Sequence, residues 1–248
     1  MRTAQERRED LKAVFHEASA CTRCPQLAAT RTTVVFGSGN SDADLMFVGE
    51  APGRSEDEQG LPFVGQAGRL LSELLGEIGL ERSDVFVANV LKCRPPGNRD
   101  PLPQEIANCE DYLFRQLELI QPRVVCTLGN FSTKLLRADP TGITRLHGRT
   151  EVRTIGPRTV RLHPLYHPAA ALYTRSLLDT LKADFARIPD LLALDPPPQP
   201  EPVVAPPAVP EPDLIEREEE APALEVEARR VEEDEAPAPV PEAQLGLF

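Results

Sequence analysis

The chain is expected to be an α/β protein of three layers, α/β/α, with a mostly parallel central sheet of about four strands. Two observations predict this. Short apolar runs recur between residues 1 and 189, and each leads into a longer stretch with helical spacing of its apolar residues. Two of the runs end in glycine, as buried parallel strands do where they turn into a loop. Alternation of strand and helix calls for right-handed crossovers, which place helices on both faces of one sheet.

Taken in order, Arg2 to Ala20 is a charged stretch with Leu11, Val14 and Phe15 on one side, an amphipathic helix leading into Cys21. Asp44–Gly49 reads as the first strand. After a polar loop, residues 67–79 set Leu70, Leu71, Leu74, Leu75 and Ile78 on one helical stripe. Val85–Val90 is the second strand, and residues 103–120 form a helix with Ile106, Leu113, Leu117 and Ile120 inward. Arg123–Gly129 is the third strand, followed by a short helix through Lys134–Leu136. Residues 150–156 suggest a hairpin with Thr159–Leu162, the fourth strand, which enters His163. A last helix is expected from about Ala169 to Arg187. In such sheets the working residues gather at the carboxyl ends of the strands.

The charge divides the chain. Of 39 acidic and 27 basic side chains, 16 acids and only three arginines follow residue 189, which leaves 23 acids and 24 bases before it. Thirteen of the 26 prolines also fall after residue 189. Residues 1–189 therefore read as one globular domain and 190–243 as a disordered acidic, Pro-rich tail, too poor in apolar residues to offset its ordering entropy. No apolar run reaches the roughly 20 residues of a membrane span, and the start MRTAQERRED has no apolar signal core. A cytoplasmic monomer is expected, with thiols kept reduced, so that the five cysteines point to metal or chemistry instead of disulfides.

Cys21 and Cys24 form a C-x2-C pair, while Cys93 closes the second strand and Cys109 lies within the next helix. Two local and two remote thiolates suit a four-sulfur site, and the spacing leaves zinc or an iron–sulfur cluster open. Cys126, between Val125 and Thr127 in mid-strand, reads as a core residue.

Three strand ends carry candidate chemistry. The loop Gly49–Gly65 leaves the first strand and enters a helix, with Glu50, Ala51, Glu56, Asp57 and Phe63 along it. No Gly-Lys-Ser/Thr closes this loop, so it is not a nucleoside-triphosphate loop. Asn89 ends the second strand, and His167 follows the fourth. An aromatic face, an amide and an imidazole at one sheet edge suit a flat heterocycle.

GEAPG with GLPFVGQAGRLL, then NVLKCRPPGNRDP, then HPAAAL resemble the three signature stretches of family 4 uracil-DNA glycosylases, over about residues 15–187. The resemblance implies the fold of those enzymes and excision of uracil from DNA, leaving an abasic site. It implies a [4Fe–4S] cluster on Cys21, Cys24, Cys93 and Cys109. It implies a cleft in which Phe63 stacks on the flipped base, Asn89 reads its edge and His167 faces the developing charge, with Gly49, Glu50, Ala51 and Glu56 around them. Glu50, Asn89 and His167 are the expected catalytic residues. Two departures stand out. The place of a water-activating Asp in the classical first family is Ala51, which leaves Glu50, Glu56 or Asp57 to orient water. The place of a large wedge residue in related glycosylases is Ala171, with Leu172 next. The alternative reading is a non-catalytic iron–sulfur DNA-binding module associated with replication or a polymerase.

Four of the 24 bases before residue 190 are lysines, Lys12, Lys92, Lys134 and Lys182, so arginine dominates. Arg94, Arg99, Arg145 and Arg149 either meet phosphates or belong to an ordinary arginine-rich surface, and the sequence favours neither. The last residues, Gln244-Leu245-Gly246-Leu247-Phe248, hold the tail's one aromatic residue and are similar to the Gln-Leu-x-Leu-Phe peptide by which bacterial repair proteins bind the β sliding clamp.

Overall fold

Strand pairing in the computed structural model, which describes residues 2–200, builds a single six-stranded sheet. Its strands are β1 (Ser38–Gly39), β2 (Leu45–Gly49), β3 (Phe86–Asn89), β4 (Val124–Leu128), β5 (Glu151–Ile155) and β6 (Arg158–Leu165), in the spatial order β1-β3-β2-β4-β6-β5. The four strands expected from the apolar runs are the parallel ones, β3, β2, β4 and β6. The hairpin expected of residues 150–156 with Thr159–Leu162 is β5 paired with β6, and one antiparallel edge goes beyond the expectation, β1, which pairs with β3 through Ser38–Val87 and Gly39–Phe86. β1 is two residues long and holds no apolar side chain, so it leaves no periodic trace in the sequence.

Ten helices accompany the sheet among the described residues: α1 (Ala4–Ser19), α2 (Pro25–Thr30), α3 (Arg54–Gln59), α4 (Gln66–Glu77), α5 (Pro103–Ile120), α6 (Asn130–Arg137), α7 (Ile143–Leu146), α8 (Pro168–Ala171), α9 (Arg175–Phe185) and α10 (Ile188–Ala193). Local chemistry starts several of them. Thr3 caps α1 reciprocally with Glu6, the Thr3 Oγ1 accepting from Glu6 N at 3.2 Å and the Glu6 carboxylate accepting from Thr3 N at 2.6 Å. Pro103 opens α5, where a missing N–H costs nothing.

Strand alternation sorts the core into two layers. Leu45 and Phe47 of β2 face Leu71, Leu74 and Leu75 of α4 and Phe185 of α9. Met46 and Val48 face the opposite layer, built by Leu11 and Phe15 of α1 with Leu113 and Leu117 of α5. Each such fully buried side chain contributes about 1.5–3 kcal/mol relative to exposure.

Two expectations about the end of the domain are corrected. The last helix is two, α8 and α9, broken at Leu172–Thr174, where Thr174 takes an extended backbone and caps α9. The ordered body also runs past residue 189. Pro189 sits in the first turn of α10, where proline starts a helix instead of ending one, and Ile188 and Leu191 are buried. The Gln199 side chain then pairs with the backbone of Thr159, accepting from its N at 3.1 Å and donating to its O at 2.9 Å. Residues 201–248, including Gln244–Phe248, lie outside the described residues. No helix among the described residues is long and apolar enough to cross a membrane.

Candidate active site

The connection from β2 runs to β3 on one side and the connection from β4 runs to the β5–β6 hairpin on the other. A crevice is expected where the connections diverge, at the carboxyl ends of these strands. A cleft of about 380 Å³ opens there, lined by Glu50, Ala51, Glu56, Phe63, Asn89 and His167 among others. Six of the seven expected cleft residues thus share one cavity. The seventh, Gly49, lies beneath it.

Gly49 is the floor on which the rest is built. It pairs with Asn89 across β2 and β3. A Cβ at Gly49 would stand 2.3 Å from Asn89 Oδ1 and 2.7 Å from the Phe63 ring, so only glycine lets the amide and the ring meet over the strand end. Asn89 is buried, and its Oδ1 has no hydrogen-bond partner. A buried acceptor without a donor costs about 1–3 kcal/mol, a deficit that an incoming N–H would remove.

Phe63 has φ of 55°, the left-handed region that side chains rarely adopt. Three contacts hold it there. The Glu56 carboxylate accepts from Val64 N at 3.1 Å and Gly65 N at 3.0 Å, Arg82 donates to Pro62 O at 3.1 Å, and α4 contributes Gly68, where a Cβ would meet Phe63 O at 1.7 Å. The Phe63 and His167 rings lie 5.7 Å apart at 26°, an offset stack.

His167 accepts at Nδ1 from Ala169 N at 3.1 Å. Burial pulls its pKa down to about 4, against a smaller opposing pull from Glu56. The ring is therefore neutral at pH 7, and with Nδ1 an acceptor the proton resides on Nε2. Glu50 is shifted the other way, up to about 7, by burial and by the like charge of Asp100. Of the three carboxylates considered for orienting water, Glu56 is committed to the Phe63 loop. Asp57 is buried away from the cleft, accepting from Thr32 N and Thr33 N. Glu50 remains.

Two contributors are absent from the sequence reading: Asn98 lines the cleft, and Asp100 acts on Glu50. Arg99, considered only for phosphates, lines the cleft as well. The signal for all three was present in the Asn-Arg-Asp of the second signature. Arg99 is held by Glu105 at 2.9 and 2.6 Å, and Arg94 donates from Nε to Asn98 Oδ1 at 2.7 Å. Arg145 and Arg149 are exposed. Lys92 is buried, its Nζ donating to Asn89 O at 2.9 Å and Gln116 Oε1 at 2.6 Å, which turns the amine away from the cleft and braces the end of β3.

A family model described as the uracil DNA glycosylase superfamily matches residues 36–191, which contain this whole cleft. The chain belongs to that superfamily. It is 47% identical over 188 residues to the type-4 uracil-DNA glycosylase of Archaeoglobus fulgidus, covering 74% of this chain and 94% of that relative. To the type-4 uracil-DNA glycosylase of Sulfurisphaera tokodaii it is 44% identical over 188 residues, covering 74% and 85%. To that of Saccharolobus solfataricus it is 42% identical over 193 residues, covering 76% and 89%.

This superfamily member has a second built cavity, lined by Cys21, Cys24, Cys93 and Cys109 with Leu27, Leu91 and Arg31. None of the four is in a disulfide. Three of the sulfurs accept from N–H donors: Cys93 from Arg31 at 3.2 Å, Cys109 from Lys92 N at 3.3 Å and Cys24 from Asn108 at 3.5 Å. Among the described residues, no three or more His, Cys, Asp or Glu are arranged to hold one metal ion. Cys126 faces the opposite core layer, where burial holds its thiol far above its ordinary range.

Proposed function

We propose that this protein is a monofunctional uracil-DNA glycosylase, which extrudes uracil from DNA and hydrolyses its N-glycosidic bond to leave an abasic site for base excision repair. The observation that carries the reading is the unpartnered Asn89 Oδ1 buried at the floor of the cleft. Uracil supplies what it lacks. Its N3–H donates to Oδ1, and its O4 accepts from the amide nitrogen. Cytosine presents an acceptor at N3 and a donor at N4, so both contacts would mispair, at about 1–3 kcal/mol for each buried group left unsatisfied. The ring of the flipped base lies over Phe63, whose left-handed backbone is held for that purpose by Glu56 and Arg82.

Breaking the glycosidic bond leaves an oxocarbenium-like sugar and a uracil anion. The neutral His167, with its proton on Nε2, donates to the anion and stabilises charge that exists only late in the reaction. Glu50 is the carboxylate left to orient water toward the sugar, and its pKa near 7 lets it accept a proton at working pH. Strand cleavage is not expected: a lyase needs an amine nucleophile in the cleft, and Lys92 is turned into the core.

The four cysteines line one pocket, and four thiols in an apolar cavity are the donor set of a [4Fe–4S] cluster, which takes one thiolate on each of its irons. When bound, the cluster would tie α1 and α2 to the loop after β3 and to α5, a structural role, since no redox step occurs in the hydrolysis. Thiolate ligation of this kind belongs in the reducing cytoplasm.

Gln244–Phe248 would tether a monomeric glycosylase to the β sliding clamp, with the acidic segment before it joining the peptide to the domain. Removing those five residues should abolish clamp binding on a sensor surface and leave base release unchanged; equal binding by both forms would refute the tether. The central test is base release from a uracil-containing oligonucleotide. Free uracil and an alkali-labile site, with no cut before alkali, are expected; DNA binding without release would support a non-catalytic module instead.

A further inference from the structure

His147 and Asp184 form a pair that nothing described above uses. His147 Nδ1 lies 2.9 Å from Asp184 Oδ2. A carboxylate only accepts, so Nδ1 carries the proton and donates, and Nε2 is left for another partner. No hydrogen bond among the described residues reaches Nε2, and the side chain is 28% exposed, against 12% for that of Asp184.

The pair is built into the fold. Asp184 comes from α9, and its backbone oxygen accepts from His163 Nε2 of β6 at 3.1 Å. Gly148 has φ of 68°, and a Cβ there would stand 2.2 Å from Asp184 Oδ1, so glycine is what lets the loop close on the carboxylate. Gly148 N donates to Pro164 O at 2.8 Å, and Ile143 N donates to Asn130 Oδ1 at 2.9 Å. These bonds hang residues 143–148 on the carboxyl ends of β4 and β6, the sheet edge that carries the cleft.

Two ring stacks fix the distance to the base. His147 stacks on Tyr166, with centroids 4.6 Å apart, and the next residue, His167, stacks on Phe63 in the cleft. Consecutive Cα atoms are about 3.8 Å apart. An extruded base stays attached to its strand, so its flanking phosphates come to the rim of the cleft. Charge agrees with this placement. No Asp or Glu occurs from Ile143 to Arg149, Arg145 and Arg149 are exposed, and the loop's one ion pair among the described residues is His147 with Asp184.

Resting on the uracil-excision reading, we propose that His147 is a DNA phosphate anchor. Its Nε2–H donates to a phosphodiester oxygen next to the extruded nucleotide, Asp184 aims the ring from behind, and Arg145 and Arg149 meet neighbouring phosphates. Donation from both nitrogens takes the imidazolium, so the contact supplies a charge together with a hydrogen bond. It positions the strand and reads no base.

The experiment measures binding to a duplex holding a tetrahydrofuran abasic analogue, which cannot be turned over, between about 50 and 200 mM salt. Single-turnover uracil release from the matching U·G duplex is followed beside it. His147→Phe keeps a ring on Tyr166 and loses the donor. It should bind about tenfold more weakly at the lowest salt, with a log–log salt slope shallower by about one. The half-saturating DNA concentration for release should rise by a similar factor, while the saturated rate stays within about twofold. Arg145→Gln combined with Arg149→Gln should flatten the slope by about two. That double variant keeps the test open if loss of the Asp184 partner destabilises the first. Wild-type salt slopes in the variants, or a lower saturated rate at unchanged half-saturation, would overturn the anchor. Slopes that fall as expected while wild type frees no uracil would leave the phosphate contact standing and refute the excision reading, so the two failures are distinguishable.

Discussion

The cleft and the cysteine cavity hang on the same short segment, Asn89 to Cys93, yet they are built on opposite terms. In the cleft, polar groups are left wanting: Asn89 Oδ1 has no donor, Phe63 sits at positive φ, Glu50 is pushed up to about 7 and His167 down to about 4. Around the cysteines the needs are met, since three sulfurs already receive N–H donors and the walls are apolar. Burial displaces titratable groups in both regions, with Cys109 raised to about 11 and Lys92 lowered to about 8 beside the cysteines, so the unmet hydrogen bond and the positive φ are what set the cleft apart as the place where a substrate is bound and changed. Lys92 joins the two regions, with its Nζ on Asn89 O and its backbone N–H on the Cys109 sulfur.

The contrast breaks down if the cleft tolerates change. Gly49→Ala introduces a methyl group 2.3 Å from Asn89 Oδ1, and misplacing the amide and ring by an ångström should cost about a hundredfold in uracil release. The melting temperature should fall far less than activity does. A variant that keeps its rate would mean that the amide and the ring do not act together.

Cys109→Ser tests the other side. Because ligand binding by thiolates is coupled to folding, iron content and melting temperature should both drop, while the rate per folded molecule stays within about twofold. A variant that melts like wild type with no iron would remove the structural role; a folded, inactive one would place the cysteines in the chemistry.

The smallest expected effect is on pH. If Glu50 must be ionised to orient water, release should rise about tenfold between pH 6 and 8 around its pKa of about 7. Glu50→Gln should be slower and flat over that range. Stability carries the opposite sign at this residue. Its folded pKa is raised, so the protonated form stabilises the fold and that contribution is lost as pH climbs from 4.5 through 7. His167 is depressed from 6.5 to about 4, so its environment destabilises the fold progressively as pH falls through that window. Melting curves of Glu50→Gln and wild type across pH 5–8 separate the two.

Much of this was legible in the sequence because periodicity and burial coincide. α5 spans Pro103–Ile120, the range set by its apolar stripe, and β2, β3 and β4 are the runs whose residues are buried on both faces. The misses have identifiable causes. β1 has no apolar residue to reveal it. Pro189 marks an ending in the sequence, although proline also opens helices, and here it lies in the first turn of α10. The resemblance put Glu50 among the catalytic residues, but the residues alone left Glu50, Glu56 and Asp57 open for orienting water. Only tertiary partners separate them: backbone N–H groups occupy the first two, and burial together with Asp100 distinguishes the third. Lys92 was visible as a lysine in a signature stretch, but its role behind Asn89 depends on Gln116, 24 residues away.

The account stands most directly on Asn89, the buried amide whose free acceptor uracil would satisfy. Single-turnover base release from matched oligonucleotides carrying uracil or cytosine at one position, with wild type beside Asn89→Ala, tests it. Wild type should release uracil and not cytosine, and the variant should lose uracil release by about a hundredfold or more. Uracil release by Asn89→Ala at the wild-type rate would contradict it.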